Sequence, residues 1–382
     1  MRHSIFWVGD RPHCVWGADF QEKTLEFIRG IDPDYYDYHA LTHHRNLDRK
    51  KIRARAALAL RAQYHHGLET LFSLLGGTLQ APYCIAAWLQ LCRTETLRTI
   101  IAQIGNGRLE RTLLRLERVT WNSIAELVHR RSGGTPERRA DTSDRFATLW
   151  TRFAYDFLDQ RQVAEYNAIK HGLRVRSGGF GLQVGIEHEY GVPPPKEEMR
   201  TVVNSELGST YFFTEPVEQG RGKARDTHIV LAERSHNWDA TGIAIAIRLI
   251  AMSINNIRSF LLVLHGEPGP RVKFVRPEDG DYFELPWRLR PSISNFDLRF
   301  PVDTKQVRRF PSERLRQLLE DARRQLLDEL DRTAAAGALP PRGAITSAAE
   351  RDASDPGPAV HDAGSSQLST RPEREPPVLK GG

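Results

Sequence analysis

Cysteine is scarce in this chain, with Cys14, Cys84 and Cys92 the only three among 382 residues. None forms a C-x-x-C pair. An odd, sparse set excludes a disulfide framework and a structural zinc site, and points to a reducing, cytoplasmic home. Uninterrupted apolar runs are also lacking. The two most apolar stretches cover 68–92 and 242–264. Glu69, Gln80, Pro82 and a Gly76-Gly77 pair break the first; Arg248, Asn255, Asn256 and Arg258 break the second. A membrane span needs about 20 predominantly apolar residues, so both read as buried core helices and no membrane partner is expected. The N-terminal run Ser4–Val8 is too short for a signal peptide, and no small-residue cleavage pattern follows it. Internal repeats, a Walker loop, a Rossmann fingerprint and a nucleophile elbow are absent.

What is present is a chain of ordinary globular make-up. Hydrophobic residues make up 40%, enough for one large core or two smaller ones. The formal net charge is +6, mildly basic, carried mostly by arginines spread through the chain. Such a surface reads either as solvated helix faces or as weak attraction to phosphate-bearing partners.

Residues 4–9 pattern as a short strand, and the rest of 1–47 as a loop-rich segment with the aromatic cluster Tyr35, Tyr36, Tyr38 and His39. From Asp48, a candidate cap, helical periodicity runs through Ile52, Ala56, Leu60 and Tyr64 until Gly76-Gly77 and Pro82 bend or break it. Further helices are predicted over about 83–104, 108–131 and 144–171. Alternating residues over about 180–233 predict a small antiparallel sheet. A helix starting at Asp239 or Thr241 reaches about Leu264. Strands are expected at Arg271–Val275 and Tyr282–Leu285, then a charged helix from Pro311 to Thr333. The composition of 337–382 predicts disorder. The fold class expected is mainly α: a four-helix-type bundle over 48–265 with an inserted small antiparallel β-sheet, then a C-terminal segment over 266–336 and a disordered C-terminal tail.

The most pointed chemical feature is the stretch Glu165 to Gly172. Asn167 and His171 are four apart and share a helix face, Lys170 flanks it, and Gly172 is placed to stop the helix. An imidazole supplies acid or base, an amide orients a phosphate or hydroxyl, and an ammonium stabilises developing negative charge. The plainer alternative is a helix end whose Lys170 and His171 complement the macrodipole. On α-helical sequence upstream, Arg61 and His66 stand five apart and precede Glu69; His66 or Glu69 facing His171 across the bundle would complete a site.

The segment Tyr166-Asn167-Ala168-Ile169-Lys170-His171 resembles the signature of the HEPN superfamily, in which four to six residues, often beginning with asparagine, separate an arginine from a histidine. Asn167 and His171 match, and Tyr166 stands at the arginine position. The resemblance implies a helical bundle that binds nucleotide or RNA, or dimerises, without a cofactor. Replacement of the phosphate-positioning arginine implies binding rather than cutting. The resemblance also carries an alternative, a metal-independent endoribonuclease with His171 as acid and base and Asn167 and Lys170 as phosphate contacts. A third reading is a structural protein whose apolar helices and tail serve assembly, with a homodimer among the possible states. The expected site is thus His171, Asn167 and Lys170, with Tyr166, His66, Glu69 and Arg61 in binding roles.

Rival constellations are weaker. Glu126-x-x-His129 has the spacing of di-iron bundles, but no second such pair matches it, and no metal is expected. In a strand, Glu187 and Glu189 point away from His188. Gly178-Gly179-Phe180-Gly181 follows a helix and enters a strand, the reverse of a phosphate loop, and reads as a hinge.

Overall fold

A computed structural model describes residues 3–17, 20–171, 174–219, 226–267, 272–299 and 312–335. It is mainly helical, with small antiparallel sheets. Strands β1 (His3–Val8) and β2 (Arg11–Trp16) form a hairpin. Phe6 and Val8 are buried and Ile5 is exposed, the period of two that a half-covered strand requires. The hairpin turns at Gly9, in the left-handed region at φ +61°. Gln80 grips that turn, accepting from Gly9 N and donating to Gly9 O, each at 2.9 Å.

The expected loop before residue 47 instead contains α1 (Phe20–Gly30) and α2 (Asp34–Arg45). Each buries a narrow i, i+4 pair, Thr24 with Ile28 and Tyr36 with Ala40, too slight a stripe to stand out among polar and aromatic neighbours. Asp48 lies in a short 3-10 turn, and α3 (Arg53–Gln80) begins without a side-chain cap.

Helix α3 ends at Gln80, just before Pro82 as expected, but continues unbroken through Gly76-Gly77. The reason is α4 (Ile85–Leu91), whose Trp88 ring lies on the glycines; a Cβ on Gly76 would fall 2.7 Å from Trp88 Cη2. Each glycine costs the helix about 1 kcal/mol, and burial of the indole offsets it. Cys92 and Arg93 separate α4 from α5 (Thr94–Gly105), so the single helix expected over 83–104 is two.

Most of the helix expected over 108–131 is absent. Residues 108–120 instead strap the end of α3: Thr112 Oγ1 and Leu113 N donate to Leu79 O at 2.9 Å, and Gln80 Nε2 donates to Arg111 O at 2.9 Å. Carbonyls left open at the helix end find partners there. Helix α6 (Trp121–His129) then starts from a reciprocal cap, with Thr120 Oγ1 accepting from Ser123 N and Ser123 Oγ from Thr120 N. Thr120→Ala is expected to lower stability by about 1 kcal/mol, read as a lower denaturant midpoint with unchanged slope.

Helix α7 (Pro136–Leu158) opens at Thr135 with proline in its first turn, earlier than the expected 144. It does not continue to His171. Asp159 turns out of the helical region, at ψ 117°, and its side chain accepts from Arg161 N at 2.9 Å to start α8 (Gln160–Lys170). His171 caps α8; Gly172, the expected stop, lies outside the described residues.

The antiparallel sheet expected near 180–233 is present and extends at both ends. Strands β3 (Val175–Ser177), β6 (Gly208–Gln219), β7 (Asp226–Asn237) and β8 (Asn295–Arg299) lie side by side in that order, and β4 (Gly181–Val184) pairs with β5 (Arg200–Asn204) as a separate ribbon. The Gly178–Gly181 segment is packed rather than hinge-like: a Cβ on Gly179 would fall 2.4 Å from Ser205 O and 2.5 Å from Asn237 Oδ1.

Asp239 caps α9 (Ala240–Leu264), accepting from Gly242 N at 2.6 Å. By length and composition α9 could cross a bilayer, but here it is mostly buried. It packs along α3, with α2 beside both, around Leu60, Leu68, Leu71, Ile247, Ile250, Ile254 and Ile257. The polar residues of α9 hold the segment after it. Asn256 Oδ1 accepts from Val275 N at 2.8 Å, and Ser259 Oγ donates to Lys273 O at 2.9 Å. These side chains take the place of a neighbouring strand, so residues 272–275 form no sheet ladder where a strand was expected; Arg271 is outside the described residues. The second strand expected, at 282–285, is a 3-10 turn (Gly280–Phe283) leading into α10 (Leu285–Arg288). Residues 1–300 form one unit and 301–382 another. In the second, α11 (Ser312–Ala335) matches the charged helix expected there; the tail 337–382 lies outside the described residues.

Candidate functional site

Arg61 falls on the buried stripe of α3 between Leu60 and Tyr64, and Glu165 on the buried stripe of α8 before Ala168. The two meet. Arg61 donates from Nε and Nη2 to Glu165 Oε2 at 2.8 and 2.6 Å. His65 Nε2 and His236 Nδ1 each stand 3.4 Å from the same oxygen. The other oxygen accepts from the Ser209 hydroxyl and, at 3.1 Å, from Trp238 Nε1. Glu165 is 0% exposed. Burial alone would raise its pKa, but the Arg61 charge and then the His236 ring hold it well below the usual carboxylate range. Burial, then the Arg61 charge, push His65 down to about 4, so the imidazole is neutral and its Nε2–H donates. A second buried acid adjoins the first. Asp156 accepts from Tyr64 Oη at 2.6 Å, Gln162 Nε2 at 2.9 Å and Arg290 Nη2.

This polar hub is flanked by two clefts. One, of about 360 Å³, lies among α3, α5, α7 and α8. His65 and Glu69 line it from α3, Thr94, Glu95 and Arg98 from α5, and Tyr166, Asn167, Lys170 and His171 from α8. The other, of about 270 Å³, is lined by Arg61, His236, Trp238 and Arg290; Asp156 and Gln162 border both.

The first cleft gathers five residues of the expected site: Glu69, Tyr166, Asn167, Lys170 and His171. Asn167, Lys170 and His171 are exposed, and none of the three side chains forms a hydrogen bond or ion pair among the described residues. Lys170 Nζ sits 5.4 Å over the Tyr166 ring, whose other neighbour is His65, stacked at 5.2 Å. Tyr166 Oη donates to Glu69 Oε2 at 3.3 Å and Thr94 Oγ1 to Glu69 Oε1 at 3.4 Å. Burial and then the Glu69 charge raise the Tyr166 phenol above its ordinary value, so it stays a donor. Glu69 is therefore held by two hydroxyls and does not orient an imidazole. Arg98 Nη2 donates to Phe157 O at 2.5 Å, and its Nε has no partner among the described residues.

Two expected residues stand elsewhere. Arg61 is in the hub, and His66 is exposed on α3 beside Tyr36, at 5.8 Å between ring centres. Arg61 and His66 leave α3 in different directions and form no joint motif. The di-iron reading also fails on geometry. Glu126 is exposed, whereas His129 is buried between Phe146 and Trp150, bonded to Ala125 O at 2.8 Å and to Asn256 Nδ2 at 3.2 Å. In the β4–β5 region Glu187, His188 and Glu189 are exposed, and His188 pairs with Glu198 at 2.5 Å.

Sequence reasoning missed Glu165, His65, His236 and Asp156 as interacting groups. The available signal was an acid on the narrow apolar stripe of α8 and a cation on that of α3, since each needs a partner once buried. Comparisons of the chain with family models, with curated proteins and with solved structures give no match.

Proposed function

We propose that the cleft of α3, α5 and α8 binds a nucleotide or the phosphate backbone of RNA, and that the protein is a HEPN-like helical module that binds without cutting. The carrying observation is the convergence of Lys170, Asn167, His171 and Arg98 on one cleft that also contains the tethered Glu69 acceptor. The exposed Lys170 ammonium and Asn167 amide, neither of them hydrogen-bonded among the described residues, suit a phosphate, and Arg98, held to Phe157 O, adds positive charge beside them. A fixed carboxylate suits the hydroxyls of a ribose. A lining of both signs fits a ligand that is at once anion and donor better than it fits a bare polyanion. Binding is favoured over cleavage because Tyr166 stands where the resemblance places a phosphate-positioning arginine, and its phenol is turned to Glu69.

The test is titration of labelled single-stranded RNA and of ATP at two salt concentrations. Binding should weaken with salt, and Lys170→Ala should lower the RNA salt slope by about 0.7, the contribution of one phosphate contact on a single strand. No binding at low salt would remove this reading and leave assembly. RNA cleavage by the wild type, lost in His171→Ala, would replace it with the nuclease.

A further inference from the structure

On α2, His39 and His43 stand one turn apart. His39 Nδ1 and His43 Nε2 share a hydrogen bond at 3.5 Å, whose proton a metal ion bound to both nitrogens would displace, with rings 27° from parallel and centroids 5.6 Å apart. Tyr35 packs against the His39 ring edge-on at 4.5 Å and Tyr38 at 5.5 Å, which fixes its orientation. Neither histidine has another hydrogen bond among the described residues, and both rings are partly open to solvent. Two histidines at i and i+4 are the helix arrangement that presents a pair of imidazole nitrogens to one ion. Zinc–nitrogen bonds of about 2.0–2.1 Å at a tetrahedral angle separate two ligand nitrogens by roughly 3.3–3.4 Å, close to the separation found. We infer that His39 and His43 form a two-histidine site for a divalent transition-metal ion of the imidazole-preferring class, with zinc as the natural probe.

The remaining positions on the ion are open. Asp37, the nearest acid preceding them on α2, is engaged by Arg248 at 2.7 Å, and among the described residues no three metal-ligating side chains stand together. The site is therefore an exchangeable one, open to water or an incoming ligand. It stands apart from the nucleotide reading and does not depend on it.

The experiment is calorimetric titration of Zn²⁺ into the full chain at neutral pH, alongside His39→Ala, His43→Ala and, as a control, His44→Ala. Losing groups that merely support a ligand costs about 10–100-fold in metal affinity, so losing a ligand should cost at least about tenfold. His39→Ala and His43→Ala should each weaken binding by that much, and His44→Ala should not. A second readout needs no variant: Zn²⁺ should protect His39 and His43 of the wild type from acylation by diethylpyrocarbonate, mapped by peptide mass. No saturable zinc binding, equal affinity in all four proteins, or protection of other histidines but not these two would each overturn the site.

Discussion

Glu165→Ala should destabilise the protein by about 3–5 kcal/mol, the range for breaking a buried ion pair by removing one partner. The cause is not the lost attraction alone. Among the described residues, Arg61 would keep a buried charge with only Gln162 Oε1, at 3.4 Å, to accept from it. Ser209 and Trp238 would lose their acceptor as well. Glu165→Gln should also cost stability, because an amide retains acceptor capacity but not the charge. Arg61→Met combined with Glu165→Gln should recover much of the loss, since replacing a buried pair with apolar or neutral groups is often close to neutral. Urea denaturation of the three variants beside the wild type measures this. A cost below about 1 kcal/mol for Glu165→Ala would show that the hub does not hold the fold, and lack of recovery in the double variant would show that the cost is not the stranded charge.

Acid should weaken the protein well before its carboxylates titrate. Burial pushes both His65 and His129 down to about 4, with the Arg61 charge adding to the effect on His65. An unfolded histidine titrates near 6.5. Between these values the unfolded chain binds protons that the folded chain refuses, so stability falls as pH falls from about 6.5 to 4, and is intact above that window. At 1.36 kcal/mol per unit, each histidine contributes on the order of 3 kcal/mol. Glu165 acts lower down: its depressed pKa keeps its contribution intact above the ordinary carboxylate value, and that contribution is lost as pH falls through the folded value. Denaturation free energies at half-unit steps from pH 7.5 to 4.5 test the prediction. Stability that stays level from pH 7 to 5 would rule it out. His129→Gln should make the profile shallower even if it lowers stability throughout.

The sequence made the long elements legible and obscured their joints. Apolar periodicity gave α3, α9 and α11, and alternation gave the central sheet, because those patterns record burial along a single element. The break at Asp159 had a local signal, an aspartate that caps the following helix, masked by apolar periodicity that continues on both sides of it. Gly76-Gly77 read as a helix breaker because the Trp88 ring that fills the space belongs to another helix. The 108–120 strap looked helical because its leucines are spaced for a helix, yet its backbone bonds to the end of α3. For the site, Asn167, Lys170 and His171 were readable because one helical turn presents all three. Glu69 joins them in the cleft through tertiary packing. Glu165 went unread because its partners lie up to 104 positions away in sequence.

That separation bears on how the chain reaches its fold. Arg61 precedes Glu165 by 104 residues, and Trp238 follows it by 73. A carboxylate can be taken out of water only when its donors arrive together, so early collapse of α3 against α8 cannot seal the hub until β6 and β7 are in place. Closing such loops costs entropy before any contact repays it. The chain should therefore fold late and non-locally at this point, and open there as a unit, with the amide hydrogens of α8, β6 and β7 exchanging together rather than strand by strand.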